Sequence, residues 1–310
     1  MTTSLVLGAN GFIGSHLVDA LAGQGGTVRA FRRHGGPAIY ETAPNIEEYI
    51  GDFLNESDLR AALKGVDHLY HFISTTTPAT AENDPIIDIE TNIRMSVELF
   101  RLCVEEGVKK VFFASTGGAI YGENDKPPFS ESDLALPVSP YAIGKLTIEN
   151  YLRYFRRKHG LQSVTLRISN PYGERQPFYR KQGVIPIFLE NICRDRPITV
   201  LGDGTMVRDY VYVKDVAQMI VDISHKEHSQ EVYNLGSGKG STINELVEAA
   251  TAVSGKEPRI ERKPVPPTFV DKVVLDTTRF NDEFGITAKT DLRTGMKLTY
   301  DYIKKEIERE

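Results

Sequence analysis

Two cysteines, Cys103 and Cys193, are all that the 310-residue chain contains. That is too few for a disulfide framework, and they lack metal-ligand spacing, so the chain is expected to work in a reducing compartment, with the cytoplasm as the default. Cationic blocks are missing too. Lys and Arg total 37 against 42 Asp and Glu, a net charge of −5, which leaves no nucleic-acid footprint and no patch for an anionic membrane. No apolar stretch is long enough to span a bilayer, and "LVLGANGFIG" near the start has neither a basic leader nor a cleavage signal, so it reads as a core strand and turn. Internal repeats and low-complexity segments are absent. A small-molecule partner is the expectation that survives these exclusions.

What is present is a regular alternation. Short apolar runs at 4–8, 27–31, 48–51, 67–72, 109–115 and 163–168 are separated by amphipathic stretches at 12–23, 56–64, 87–106 and 140–158. This is the pattern of βαβ units, and it predicts an α/β fold with a doubly wound parallel sheet. After about Asn170 the order loosens into polar, proline-containing loops, with a helix at 185–194, short strands at "ITVLG" and "RDYVYV" and a helix from Asp215. The expected organisation is a main domain at 1–170 and a smaller one at 171–310, with segments around 210–240 returning to the main sheet.

Three motifs carry chemistry. Gly8, Gly11 and Gly14 lie at three-residue spacing between the first strand and the first helix. Glycines there allow a tight turn and close backbone approach to a pyrophosphate, with the helix amides facing it. The second strand then ends in Arg32 and Arg33, where such folds normally place an acid for the adenosine ribose. A guanidinium suits the 2′-phosphate of NADP better than the 2′-hydroxyl of NAD. Arg32 falls at the acid's position, while Arg33 can equally be a solvated turn residue.

The third motif, "SPYAIGK", puts Tyr141 and Lys145 one helical turn apart on one face. A nearby ammonium lowers a phenol's pKa, which is the condition for a tyrosine to trade protons near neutrality. Ser115 and Thr116, at the end of an apolar strand, offer a hydroxyl for the same reacting oxygen. Alone, a Tyr and a Lys at this spacing are ordinary surface or packing residues; together with the glycine turn they form a candidate redox site.

Taken together, "GANGFIG", "GDF", "HFIS", "TNI", "STGGAIYG", "SPYAIGK", "RISNPYG", "VRDYVYVKDVA" and "YNLGSG" resemble the extended short-chain dehydrogenase/reductase family, in its nucleotide-sugar epimerase and dehydratase branch, over essentially the whole chain. The resemblance implies a Rossmann domain with a smaller substrate domain and a tightly held NADP or NAD. Cofactor contacts are implied for Gly8, Gly11, Phe12, Ile13, Gly14, Arg32 and Arg33. Asp52 and Phe53 are placed by the adenine, and Phe72, Ile73, Ser74 and Asn92 along the cofactor. Catalysis is implied for Thr116, Tyr141 and Lys145, Thr116 standing 25 positions before Tyr141, with Ser115 as its rival because "STGGAIYG" carries an extra glycine. Asn170 and Arg208 are implied to hold the sugar nucleotide, Arg208 at the diphosphate. A second diphosphate-binding Arg is replaced by proline in "KPVPPTF", leaving Arg262 or Lys263 as substitutes or Arg208 to act alone.

Absences narrow the reaction. The 4,6-dehydratases of this branch carry an Asp-Glu pair after the Thr, where this chain has Gly117 and Gly118, and the Glu of the decarboxylases is missing as well. A 4-epimerase acting through a 4-keto sugar is the expectation, on a dTDP-6-deoxyhexose such as dTDP-L-rhamnose or on UDP-glucose/UDP-galactose. An NADPH-dependent 4-keto reductase is the alternative, and a non-catalytic NADP-binding sensor a remote one, since sensors commonly lack the Tyr and Lys. Family members often dimerise through helices, so a homodimer is expected over the faces of 87–106 and 140–158.

Overall fold

The computed structural model describes residues 1–122, 126–178, 183–265, 270–286 and 288–310. Its main sheet has seven strands. β1 (Thr3–Leu7), β2 (Thr27–Arg32), β3 (Ile46–Ile50), β4 (His68–His71), β5 (Lys110–Thr116) and β6 (Gln162–Ile168) are joined at the far edge by Val232–Leu235, in the order Val232–Leu235, β6, β5, β4, β1, β2, β3. All the pairings are parallel, so the doubly wound α/β arrangement expected from the alternation is the one present.

The two faces of the sheet bury separate clusters. Leu5 and Leu7 of β1, with Val111 and Phe113 of β5, point into one cluster with Leu99, Ile148 and Leu152. Val6 and Phe112 point the other way, among Leu17, Val216 and Ile220. Strands covered on both faces carry apolar residues at consecutive positions. Each fully buried Leu or Phe contributes roughly 1.5–3 kcal/mol, and this sheet is the rigid platform for what its strand ends hold.

Helix α1 (Phe12–Ala22) follows the glycine turn, and Pro140–His159 carries the Tyr/Lys motif. The latter starts on Ser139, whose hydroxyl accepts from the Ala142 amide at 3.4 Å, has Pro140 in its first turn, and stops at Gly160 with φ 73°. That left-handed conformation costs a glycine least. The helix expected at 87–106 is broken up. Pro78–Asn83 and Pro85–Asp88 are short helices, Ile89–Ile93 is a wider π-type turn, and Arg94–Glu105 is the regular helix. Such wide turns recur at functional sites, and this one holds Asn92.

Beyond β6 lie smaller sheets. Val207–Tyr212 pairs with Gly240–Thr242, Lys272–Val273 and Asn170–Tyr172, and Ile198–Leu201 pairs with Ile260–Lys263. A third core of Phe188, Leu189, Leu246, Met296 and Ile303 lies under them. Between these strands and Val232–Leu235, helix Val213–His225 packs its apolar side into the same cluster as α1. Among the described residues no helix is long and apolar enough to cross a membrane, and no cluster of metal-ligand side chains occurs.

Candidate active site

The sheet order changes direction between β1 and β4, and a doubly wound sheet opens a crevice there at its strand C-termini. The glycine turn lies on that rim. Gly8 has φ 87°, and a Cβ on it would stand 2.9 Å from the Phe72 carbonyl oxygen. A Cβ on Gly14 would come within 2.1 Å of the Gly8 oxygen. Gly11 caps α1 without any side-chain hydrogen bond, so the first-turn amides of Phe12, Ile13 and Gly14 face outward for an anion. The turn therefore fits a dinucleotide pyrophosphate.

At the adenosine end, the Phe31 carbonyl accepts from the Ala9 amide at 3.1 Å, and Asn10 reaches the 37–39 loop through the Pro37 carbonyl and the Ile39 amide. Arg32 comes off β2 there. Its guanidinium donates to Glu48 Oε2 at 2.8 Å and to the Gly36 carbonyl at 3.2 Å, while Arg33 is exposed. Asp52 accepts from the Leu54 amide at 3.0 Å. Phe53, expected beside the adenine, is only 1% exposed and packs its ring against His71 in the core, so it can offer an adenine no more than backbone.

Along the crevice, Ser74 donates to the Thr76 carbonyl. Asn92 is buried, accepting from the Thr75 amide at 2.9 Å and donating to Asp88 Oδ1 at 2.8 Å. Thr76 donates to the same Asp88 oxygen at 2.5 Å. The other oxygen lies over Gly144, where a Cβ would approach it to 2.2 Å. Gly144 is thus what lets a buried carboxylate rest against the helix bearing Tyr141 and Lys145. His71 is a packed residue, its Nε2 2.8 Å from Ser96 Oγ, and burial pushes its pKa down to about 3.

The reacting end brings Tyr141 and Lys145 together, and Thr116 ends the strand whose Ala114 carbonyl holds Lys145. Lys145 is 8% exposed, donates to the Ala114 carbonyl at 2.9 Å, and has its Nζ 5.7 Å from the centre of the Tyr141 ring. Burial lowers its pKa to about 8, against the pull of Asp88 and Glu149. The Tyr141 phenol does not follow the expectation from sequence. Burial first, and then the Asp88 carboxylate, push it up to about 12, while the Lys145 ammonium donates to the Ala114 carbonyl.

The structure separates the two candidate hydroxyls. Ser115 donates to Glu149 Oε1 at 2.5 Å, and Glu149 is paired with Arg167 at 2.8 Å, both side chains under 10% exposed. Arg167 also donates to the Tyr121 hydroxyl, which donates to Asn234. The Ser115 hydroxyl is therefore committed to a buried structural network, whereas Thr116 points to the other face of the strand and its hydroxyl donates to no protein group among the described residues. Strand alternation was the available signal. Ser115 shares parity with Val111 and Phe113, which face helix Pro140–His159.

Farther out, Asn170 donates to the Asp209 carbonyl at 3.1 Å. Arg208 is folded onto the carbonyls of Val207, Val270 and Asp271 at 2.8, 2.6 and 3.2 Å, and burial lowers its pKa. Arg262 donates to the Gly202 carbonyl and Lys263 is exposed; residues 266–269 of "KPVPPTF" lie outside the described residues. A cavity of about 500 Å³ opens beside Lys110, Arg156 and His228. Lys110 begins β5 whereas Thr116 ends it, so that cavity is at the opposite rim of the sheet from this chemistry.

Residues 4–236 match the NAD dependent epimerase/dehydratase family. A dTDP-4-dehydro-6-deoxyglucose reductase of Escherichia coli is 33% identical over 294 residues, 91% of each chain being covered. A UDP-glucose 4-epimerase of Thermotoga maritima, solved with UDP-glucose, has a TM-score of 0.91 and 36% identity over 99% of this chain and 100% of its own. The UDP-glucose 4-epimerase of Thermus thermophilus, solved with NAD, has a TM-score of 0.90 and 32% identity over 98% and 99%.

Proposed function

The chain belongs to the NAD dependent epimerase/dehydratase family, and from that premise we propose that it is a nucleotide-diphosphate-hexose 4-epimerase. Residues 1–170 are assigned to the dinucleotide and residues 171–310 mainly to the sugar nucleotide. The observation that supports this reading is Lys145 lying 5.7 Å from the Tyr141 ring centre on one helix, together with Gly117 and Gly118 following Thr116 in the sequence, where a dehydratase needs acids. The site has what an alcohol–ketone exchange uses, and directly after Thr116 glycines stand in place of the carboxylate pair that would move protons at C5 and C6.

When bound, the nicotinamide would supply the acceptor and donor of hydride, and its positive ring would favour the Tyr141 phenolate that burial and Asp88 otherwise disfavour. Tyr141 takes the proton from the sugar O4 as C4 gives up hydride. Thr116 donates to the same oxygen. After the resulting 4-keto sugar has turned in the pocket, Tyr141 would give the proton back to O4. Lys145 is fixed by the Ala114 carbonyl with its Nζ 5.7 Å from the centre of the Tyr141 ring, and Asn170 and Arg208 would hold the sugar nucleotide, Arg208 at the diphosphate.

A 4-keto reductase is the second reading, favoured by the E. coli relative and by Arg32 at the end of β2. Incubation with UDP-glucose, and separately with dTDP-L-rhamnose, without added reductant decides between them. The epimerase brings its substrate to an equilibrium mixture of C4 isomers; a reductase leaves both unchanged and consumes NADPH stoichiometrically with a 4-keto sugar. The cytoplasm is the proposed location. A homodimer is proposed through Ile86, Ile87, Ile143, Tyr151 and Tyr154, large apolar side chains exposed on the helices around the site.

A further inference from the structure

Arg32 stands where an acid would be expected, yet a carboxylate is present. Ala30 is in register with Glu48 on the edge strand β3, and Arg32, two residues along β2, projects from the same face as Ala30. Glu48 Oε2 meets the guanidinium at 2.8 Å, and Glu48 Oε1 accepts from the Tyr40 hydroxyl at 3.3 Å. The Gly36 carbonyl takes a second guanidinium nitrogen. The Arg32 side chain is only 10% exposed, and its Nε is buried without a hydrogen-bond partner. Two of its three nitrogens are thus spent on protein oxygens, and the Glu48 side chain is 45% exposed on the rim.

We infer that Glu48 is a cofactor-specificity residue, which holds Arg32 away from a 2′-phosphate and faces the adenosine 2′ position with a carboxylate, biasing the chain towards NAD over NADP. This rests on the family's dinucleotide lying in the crevice of the glycine turn. The location follows from the hydrogen bonds, because the turn is tied to the residue before Arg32 through Ala9 and Phe31, and to the loop that Arg32 braces through Asn10. A phosphate carrying close to two negative charges meets repulsion from Glu48, and it gains Arg32 only by breaking an existing ion pair. A ribose hydroxyl meets no repulsion and can donate to a carboxylate. The missing acid of β2 is supplied from the neighbouring strand.

The test is competitive retention. The full-length protein is incubated with equimolar NAD⁺ and NADP⁺ until the bound ratio is constant, freed of unbound nucleotide and denatured, and the released nucleotides are quantified by mass spectrometry. The wild type is expected to retain mainly NAD. Glu48→Gln, on an exposed side chain, should shift the bound ratio about tenfold towards NADP, the scale of one charge-assisted hydrogen bond gained and one repulsion lost. Adding Arg32→Ala to Glu48→Gln should remove the part of that shift due to the guanidinium and leave only the part due to the lost repulsion. A ratio unmoved by Glu48→Gln, or a wild type retaining mainly NADP, overturns the inference and leaves the epimerase proposal intact. A wild type that retains neither nucleotide overturns both.

Discussion

The two ends of the crevice handle charge in opposite ways. At the reacting end Lys145, Asp88, Glu149 and Arg167 are buried or nearly so, and burial is the first cause of the depressed Lys145 and raised Tyr141 pKa values. At the adenosine end Glu48 is half-exposed beside Arg32, and Arg33 lies in solvent. A low-dielectric site makes each charge felt strongly and fixes its partners. A wet rim makes pairing cheap to exchange, which suits choosing between two nucleotides more than moving a proton. The contrast predicts where substitutions alter chemistry and where they alter only selection.

The largest effect belongs to Tyr141→Phe. It removes the hydroxyl proposed to shuttle the O4 proton and disturbs little packing, so turnover is expected to fall by about 10²–10⁴-fold while the dinucleotide is retained. Single-turnover assays with nucleotide release check both halves. Activity within a few-fold of wild type would remove the reacting end from the comparison altogether.

Lys145→Met sharpens the contrast through stability. The folded-state pKa of Lys145 is lowered from 10.5 to about 8. Below pH 8 folded and unfolded chains both carry the proton, and the cost of burying the ammonium is fully present. Between pH 8 and 10.5 the folded chain gives up the proton first, so the unfolded state binds more protons and wild-type stability rises with pH from this group. The integrated gain is about 3 kcal/mol as an upper figure. Met fills the same space without charge, so the variant should be more stable than wild type at pH 7, and the advantage should shrink towards pH 10, as read by denaturant unfolding at each pH. A constant difference would mean that the ammonium is not desolvated. Activity should be lost at every pH, the usual conflict between stability and function at a site of this kind.

These contrasts explain how far the sequence could lead. The glycine turn, the Tyr/Lys pair and the apolar strand runs depend on local spacing, and residues a turn apart in a helix must share a face whatever the rest of the chain does. The partners that tune them do not. Glu48 is 16 residues from Arg32 and Glu149 is 34 from Ser115, and only the sheet register and helix packing bring them together. Asp88 is nearer in sequence to Asn92, but a regular helix over 87–106 gave no hint of the wide turn that aims both inward. The opposing faces of Ser115 and Thr116 follow from the two-residue period of a strand, and were legible without any structure. The Tyr141 pKa could not be judged from sequence, since burial and Asp88 set it and Lys145 is bonded to the Ala114 carbonyl.

The smallest effect is expected at the other end. Glu48→Gln removes the carboxylate of an ion pair that water reaches, and pairs of that kind contribute little to folding because solvent and salt already screen them. Gln keeps the length and an acceptor oxygen for Arg32 and for the Tyr40 hydroxyl. Its melting temperature should therefore match the wild type at both low and high salt, even as its choice of nucleotide changes. Calorimetric melting in the two salts checks this. A clear fall at low salt that vanishes at high salt would show that the adenosine end, too, relies on its charges for the fold, and the division between a buried end that reacts and an exposed end that selects would no longer hold.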